Sequence, residues 1–151
     1  MGRWQKGKVM SVPKSQRGES PMQFIQTARE LKQHTLTVVK KCPKRLQFFL
    51  LGPIYEEARE VLHSVKAANN TYVHNAHEAQ IRADYMGRAN VALQNLADDL
   101  EDLYEELLQG EEARYKWVPH AMQKHGELIS AEAKLIGKVR KGDRERYKGL
   151  S

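Results

Sequence analysis

The sequence predicts an all-α fold: an up-down antiparallel four-helix bundle over residues 21–141, with a flexible basic arm over residues 1–20 and a basic tail over residues 142–151. Two observations carry that expectation. Between Ala76 and Leu108, residues Met86, Ala89, Leu93, Leu96, Leu100, Leu103 and Leu107 recur in steps of three and four, the spacing of one helix face, while Asp98, Asp99, Glu101, Asp102, Glu105 and Glu106 fill the other faces. Such a helix is about 45–50 Å long at 1.5 Å per residue, and it cannot bury its stripe alone. The rest of the chain supplies three more segments with helical spacing, and 151 residues suffice for one core without disulfides or metal.

The first helix starts at Ser20-Pro21-Met22-Gln23. Ser20 can cap free N–H groups, Pro21 sits where a missing N–H costs nothing, and Gln23 is the third residue of a capping box. Ile25, Ala28, Leu31, Thr35, Val38, Val39 and Cys42 share its inner face, and Pro43 ends it. The second helix carries Leu46, Phe49, Leu50, Ile54, Ala58, Val61, Leu62, Val65 and Ala68 to a stop at Asn69-Asn70. Gly52-Pro53 falls inside it; because the apolar phase continues across the proline, one helix kinked near Phe49–Pro53 is expected rather than two. The run Leu46-Gln47-Phe48-Phe49-Leu50-Leu51 is apolar nearly all round, which calls for burial on more than one side, at a subunit interface or a bundle end.

Asn69 to Asn75 is a connection, and Asn75-Ala76-His77-Glu78 is a capping-box-like start for the long third helix. In its early turns Asp84 and Arg88 stand four apart, able to pair for a few tenths of a kcal/mol. Gln109-Gly110 stops it. Trp117-Val118-Pro119 opens the fourth helix, with Met122, His125, Ile129, Ala133 (with Glu132), Ile136 and Val139 in phase. Gly126 and Gly137 each weaken it by about 1 kcal/mol relative to alanine, or mark close helix approach.

Net charge +6 and a pI of about 9.4 point to a polyanion or an acidic partner. The cations gather in three places: Lys14 and Arg17 in the arm; Lys40, Lys41, Lys44 and Arg45 at the end of the first helix; and Lys138, Arg140, Lys141, Arg144, Arg146 and Lys148 at the end of the chain. The third helix is acidic, so polarity is segregated along the chain, a better sign of an oriented electrostatic surface than the net charge is. Cations at a helix C-terminus also suit the helix dipole with no ligand involved.

Nothing in the sequence is arranged for catalysis. His34, His63, His74, His77, His120 and His125 are scattered, and Glu60-Val-Leu-His63 is a lone Glu-x-x-His where a di-iron bundle needs two. Cys42 is the single cysteine, and neither a glycine-rich phosphate loop nor a Gly-x-Ser-x-Gly elbow is present. A non-enzymatic protein without metal or cofactor is the expectation. With no secretory pattern and no membrane-spanning stretch, it is expected in the cytoplasm, and Met10-Ser-Val-Pro-Lys reads as a second plausible start.

Several pieces of the chain form a recognisable set: Met10-Ser-Val-Pro-Lys-Ser-Gln-Arg-Gly-Glu-Ser, Cys42-Pro-Lys-Arg-Leu-Gln-Phe-Phe, Glu78-Ala-Gln-Ile-Arg82-Ala-Asp-Tyr85, Arg88-Ala-Asn-Val-Ala-Leu-Gln-Asn-Leu and Gly142-Asp-Arg-Glu-Arg-Tyr147. Together they resemble the four-helix-bundle family that includes the accessory variability determinants of diversity-generating retroelements. That family is similar to the proteins encoded by intervening sequences in bacterial large-subunit ribosomal RNA genes. The resemblance implies a non-catalytic basic bundle that assembles as a pentamer, binds the element's reverse transcriptase, and contacts template RNA and DNA. In that frame the clusters Lys40–Arg45 and Arg140–Lys148 become candidates for polyanion contact, and Leu46, Phe48, Phe49, Leu50 and Leu51 for subunit packing. A second expectation stands beside it: a structural or protein-interaction bundle whose basic ends dock on an acidic protein.

Overall fold

The leucine stripe of the third helix is buried from end to end: Met86, Ala89, Leu93, Leu96, Leu100, Leu103 and Leu107 are all in the core. The computed structural model describes residues 20–151. The expectations for the arm, with Lys14, Arg17 and the start at Met10, lie outside the described residues, as do the capping roles of the Ser20 and Pro21 side chains. Over the described residues the protein is an all-α bundle of four helices, α1 Ser20–Lys41, α2 Gly52–Asn69, α3 Ala76–Gln109 and α4 Trp117–Arg146, with short helical turns at Lys44–Leu46, Gln47–Leu51 and Glu111–Arg114. No helix among them is long and apolar enough to cross a membrane.

Each helix packs against two others, α1 on α2 and α4, and α3 on α2 and α4. At one end of the bundle Lys41, closing α1, lies 5.5 Å from the ring centre of Trp117, which opens α4. At the other end Arg82 in the second turn of α3 reaches both neighbours. It donates to the Ala68 carbonyl of α2 at 2.8 Å and to Asp143 of α4 at 2.7 Å. That ion pair explains why α4 runs on through Gly142–Arg146, residues the sequence assigned to a tail. Asp143 is held inside the fold at 13% side-chain exposure, so the helix has a reason to continue to it.

The kink expected near Pro53 takes the form of a wide helical turn. The Gly52 N–H donates to the Gln47 carbonyl, five residues back instead of four, and α2 follows without a break. Widening the ladder just before a residue with no N–H and a bulky ring is a known way for a helix to accommodate proline. One consequence is that Leu46 and Leu51 turn into the core while Phe48 and Phe49 turn out, 82% and 79% exposed.

Asn75 caps α3 through its side-chain oxygen, which accepts from the Glu78 N–H at 2.9 Å. Glu78 reaches back one residue further than a capping box requires, to the His74 N–H at 2.7 Å. Asp84 and Arg88 do not pair with each other; Asp84 accepts from Gln80 and Arg88 lies over the Tyr85 ring. Two inner faces differ by one position from the sequence expectation. Phe24 is buried and Ile25 only half-buried, and Ala121 is buried while Met122 is exposed. Phe24 and Ile25 both stand at helical spacing from Ala28, and the larger ring takes the interior.

The interior holds two polar features. Thr35 donates its hydroxyl proton to the Leu31 carbonyl at 2.7 Å, so its oxygen accepts from His125 Nε2 at 2.9 Å. His125 Nδ1 must then be the acceptor for the Tyr104 hydroxyl at 2.6 Å. One neutral imidazole therefore joins α1, α3 and α4 with every group satisfied. Burial, with His34 and Lys124 adding repulsion, drives the His125 pKa down to about 3. The second feature is Glu132, fully buried on the same helix face two turns on, with neither carboxyl oxygen hydrogen-bonded among the described residues. Burial pushes its pKa up to about 8.

These two groups shape the stability profile in opposite senses. Below pH 6.5 the unfolded chain protonates His125 while the folded one cannot until about pH 3, so stability falls as pH falls across that window. Above pH 4.5 the unfolded chain ionises Glu132 while the folded one cannot until about pH 8, so stability falls as pH rises. Denaturant unfolding across this range should show a maximum between about pH 4.5 and pH 6.5. Glu132→Leu should remove its part of the alkaline arm, leaving the part due to half-buried Glu57, which is also pushed up to about 8, and raise stability on the order of 3 kcal/mol at pH 8; a variant no more stable than the parent there would refute the account. Arg82→Ala, which leaves the Ala68 carbonyl unpaired and Asp143 with only its exposed partner Arg146, should cost about 2 kcal/mol, measured in the same way.

Candidate nucleic-acid interface

The cations singled out in the sequence fall at opposite ends of the bundle. Lys40 and Lys41 close α1, and Lys44 and Arg45 sit in the turn that follows. Lys138, Arg140, Lys141, Arg144 and Arg146 occupy the last three turns of α4, with Lys148 just beyond. The 22 residues of α1 span about 33 Å at 1.5 Å per residue, so the two groups do not form one patch.

What joins them is the pairing of the helices. α1 carries Arg29, Lys32, Lys40 and Lys41 against Glu30, a net +3, and α4 carries seven cations against four acids, also +3. These two helices are neighbours. On the other side α2 has three acids against two cations, and α3 has eight acids against Arg82 and Arg88, net charges of −1 and −6. The bundle is therefore basic along its α1–α4 side and acidic along its α2–α3 side. Lys124, Lys134 and the α1 pair Arg29 and Lys32 lie between the two basic ends; the sequence reading passed over them because each stands alone in the chain. Summing charge helix by helix was the signal that could have found them.

Not every candidate cation is free. Arg45 grips Glu112 through both terminal nitrogens, at 3.1 and 3.3 Å, which raises the guanidinium pKa and holds the Glu112 carboxyl below the usual range. Arg146 pairs with Asp143 at 3.3 Å, and Lys41 lies over Trp117. Lys40, Lys44, Lys138, Arg140, Lys141, Arg144 and Lys148 make no ion pair among the described residues, and all but the half-buried Arg140 are exposed. They are the cations available to an outside anion.

The residues expected to pack subunits divide in the same manner. Leu46 and Leu51 are taken up by the chain's own core and Leu50 is half-buried against it, so outside contact falls to Phe48 and Phe49. Their rings meet edge-on at 5.3 Å.

Across the α2–α3 side, Glu57 is half-buried beside Asp99; burial first, then the hydrogen bond and charge of Asp99, push its pKa up to about 8. Among the described residues no three His, Cys, Asp or Glu side chains gather as a metal site. Cys42 is half-buried, and burial raises its thiol to about 11, which keeps it unreactive. Comparison with models of known protein families, with curated proteins and with solved structures finds no match for this chain.

Arg45 and the free lysines should separate in a simple experiment. Arg45→Ala should lower the melting temperature by stranding the Glu112 carboxylate, whereas Lys40→Ala and Lys44→Ala should leave it unchanged; equal losses from all three would contradict the assignment.

Proposed function

We propose that this chain is a non-catalytic, oligomeric accessory protein of a diversity-generating retroelement, binding the element's reverse transcriptase and its RNA or DNA through basic surfaces in support of mutagenic reverse transcription. The observation that supports it is the neighbouring of α1 and α4, which runs a net +6 along one side of the bundle and leaves Lys40, Lys44, Lys138, Lys141 and Arg144 unpaired and exposed. Such a surface binds phosphates by releasing their counterions. It offers no helix shaped to read base edges, so choice of template falls to the polymerase. Assembly to five copies in the cytoplasm is part of the proposal, with Phe48 and Phe49 as the apolar contact between subunits.

One observation favours a second reading, a protein-interaction bundle that docks on an acidic protein. Two phenylalanines beside Lys44 suit an acidic surface with an apolar centre better than they suit a phosphate backbone.

Titration of single-stranded and duplex nucleic acid at several salt concentrations tests the proposal. Affinity should fall steeply with salt and differ little between sequences. Replacing Lys138, Arg140, Lys141 and Arg144 by glutamine should flatten the slope of log affinity against log salt by about 3. A salt-insensitive affinity, or a four-site variant that binds as the parent does, would leave the second reading in place.

A further inference from the structure

The acidic side of the bundle has no role in the proposal above. Of its acids, Asp98, Glu101, Asp102, Glu105 and Glu106 are exposed on α3 and have no ion-pair partner among the described residues. A groove between α2 and α3, walled by Glu56, Glu57 and Glu60 on α2 and by Arg88 on α3, holds Val91, which is 56% exposed. Across the molecule, a shallow hollow on α4 is lined by His120, Gln123, Lys124, Glu127, Leu128 and Ala131. Lys124, Lys134 and Lys138 on that helix are equally without a partner.

We infer that the α1–α4 side of one copy docks on the α2–α3 side of a second copy, in a head-to-tail contact that nucleic acid displaces. The displacement part rests on the proposed nucleic-acid contact; the docking part does not.

Three considerations select a second copy as the occupant. The charges match in size as well as sign, +6 over α1 and α4 against −7 over α2 and α3. The two sides lie opposite each other in the ring of helices, so a two-fold contact of either side with itself would set like charge on like, and a contact made through these sides joins unlike ones. With α4 about 45 Å long and α1 about 33 Å, each about 10 Å wide, that side offers roughly 800 Å² per partner, about that of a standard stable interface. A contact between different surfaces leaves one free side of each kind, so it propagates into a ring or a filament. Nucleic acid presents the same chemistry to α1 and α4 as the acidic side of a neighbour does, and competes for it.

A pair of surface variants tests this. The first carries Arg29→Gln, Lys32→Gln, Lys124→Gln and Lys134→Gln, which weakens the basic side and keeps the end clusters. The second carries Asp98→Asn, Glu101→Gln, Asp102→Asn and Glu105→Gln, which weakens the acidic side. Both are made with Phe48→Ser and Phe49→Ser, so that the apolar turn takes no part, and circular dichroism checks their helicity. Fluorescently labelled first variant is titrated with each variant in turn. The expected result is association of the first variant with the second but not with itself, weakening about tenfold between about 50 and 300 mM salt and reversed by added single-stranded RNA. Equal association in every pairing, or none at low salt even for the otherwise unmodified Phe48→Ser/Phe49→Ser chain, overturns the docking. Association that RNA leaves intact overturns the displacement alone. Direct binding of RNA by the second variant reports on the nucleic-acid proposal independently, since its basic side is untouched.

Discussion

The buried stripe of α3 is the constraint from which the rest of the structure follows. A helix of 34 residues with Met86 through Leu107 turned inward needs apolar cover along its whole length, and the chain provides it with α2 before and α4 after. Both connections are short, so helices consecutive in sequence become neighbours in space. α1 then has one place left, between α2 and α4, and the ring closes. Closure has an electrostatic result. The first and last helices of the chain are both basic, and a ring of four makes them adjacent, so a pattern written along the sequence becomes a pattern across the molecule.

Apolar stripes alone would allow the helices to rotate or slide past one another. The interior polar groups remove that freedom. His125 on α4 has one donor and one acceptor, and they are claimed by Thr35 of α1 and Tyr104 of α3; a shift of any one helix by a residue would bury an unpaired group at a cost of about 1–3 kcal/mol. Arg82 does the equivalent at the far end, tying α3 to the Ala68 carbonyl in the last turn of α2 and to Asp143. Together they fix the register at two heights of the bundle.

Much of this was legible in the sequence, because helical spacing, Asn75 as a cap, Gly110 as a stop and the proline break are all local signals. α3 was readable residue by residue, since its stripe is leucine and its other faces are acid. α4 was harder. Its inner stripe is broken by glycine at three positions and by His125 and Glu132, and Met122 and Ala133, placed in phase with that stripe, turn out to solvent. Phe48 and Leu51 show a different limit: both are apolar in an apolar run, and only the five-residue hydrogen bond ahead of Pro53 decides which turns out. The basic side was out of reach because its members come from both ends of the chain, and no window along the sequence contains them together. Arg45 and Arg146 were placed with the free cations for a related reason. Their partners Glu112 and Asp143 are defined by packing, and only the Asp143–Arg146 spacing is visible locally.

The make-up of α4 sets an order in which the bundle comes apart. Gly126 and Gly137 have open space where a side chain would stand, and Glu132 is a carboxyl with nothing to bond in the interior, so this helix is the least firmly held of the four. α2 and α3, joined by a capped connection, carry milder versions of the same weaknesses, open space at Gly87 and one orphaned oxygen on Glu57, where α4 has two open glycines and a carboxyl with both oxygens unpaired among the described residues. The free energy of opening is therefore uneven through the molecule, as it is in proteins that unfold in cooperative pieces. Amide protons of α4 belong to the low rung of that ladder and those of the α2–α3 hairpin to the high one, so solvent first reaches the core by way of the helix that carries the most positive charge.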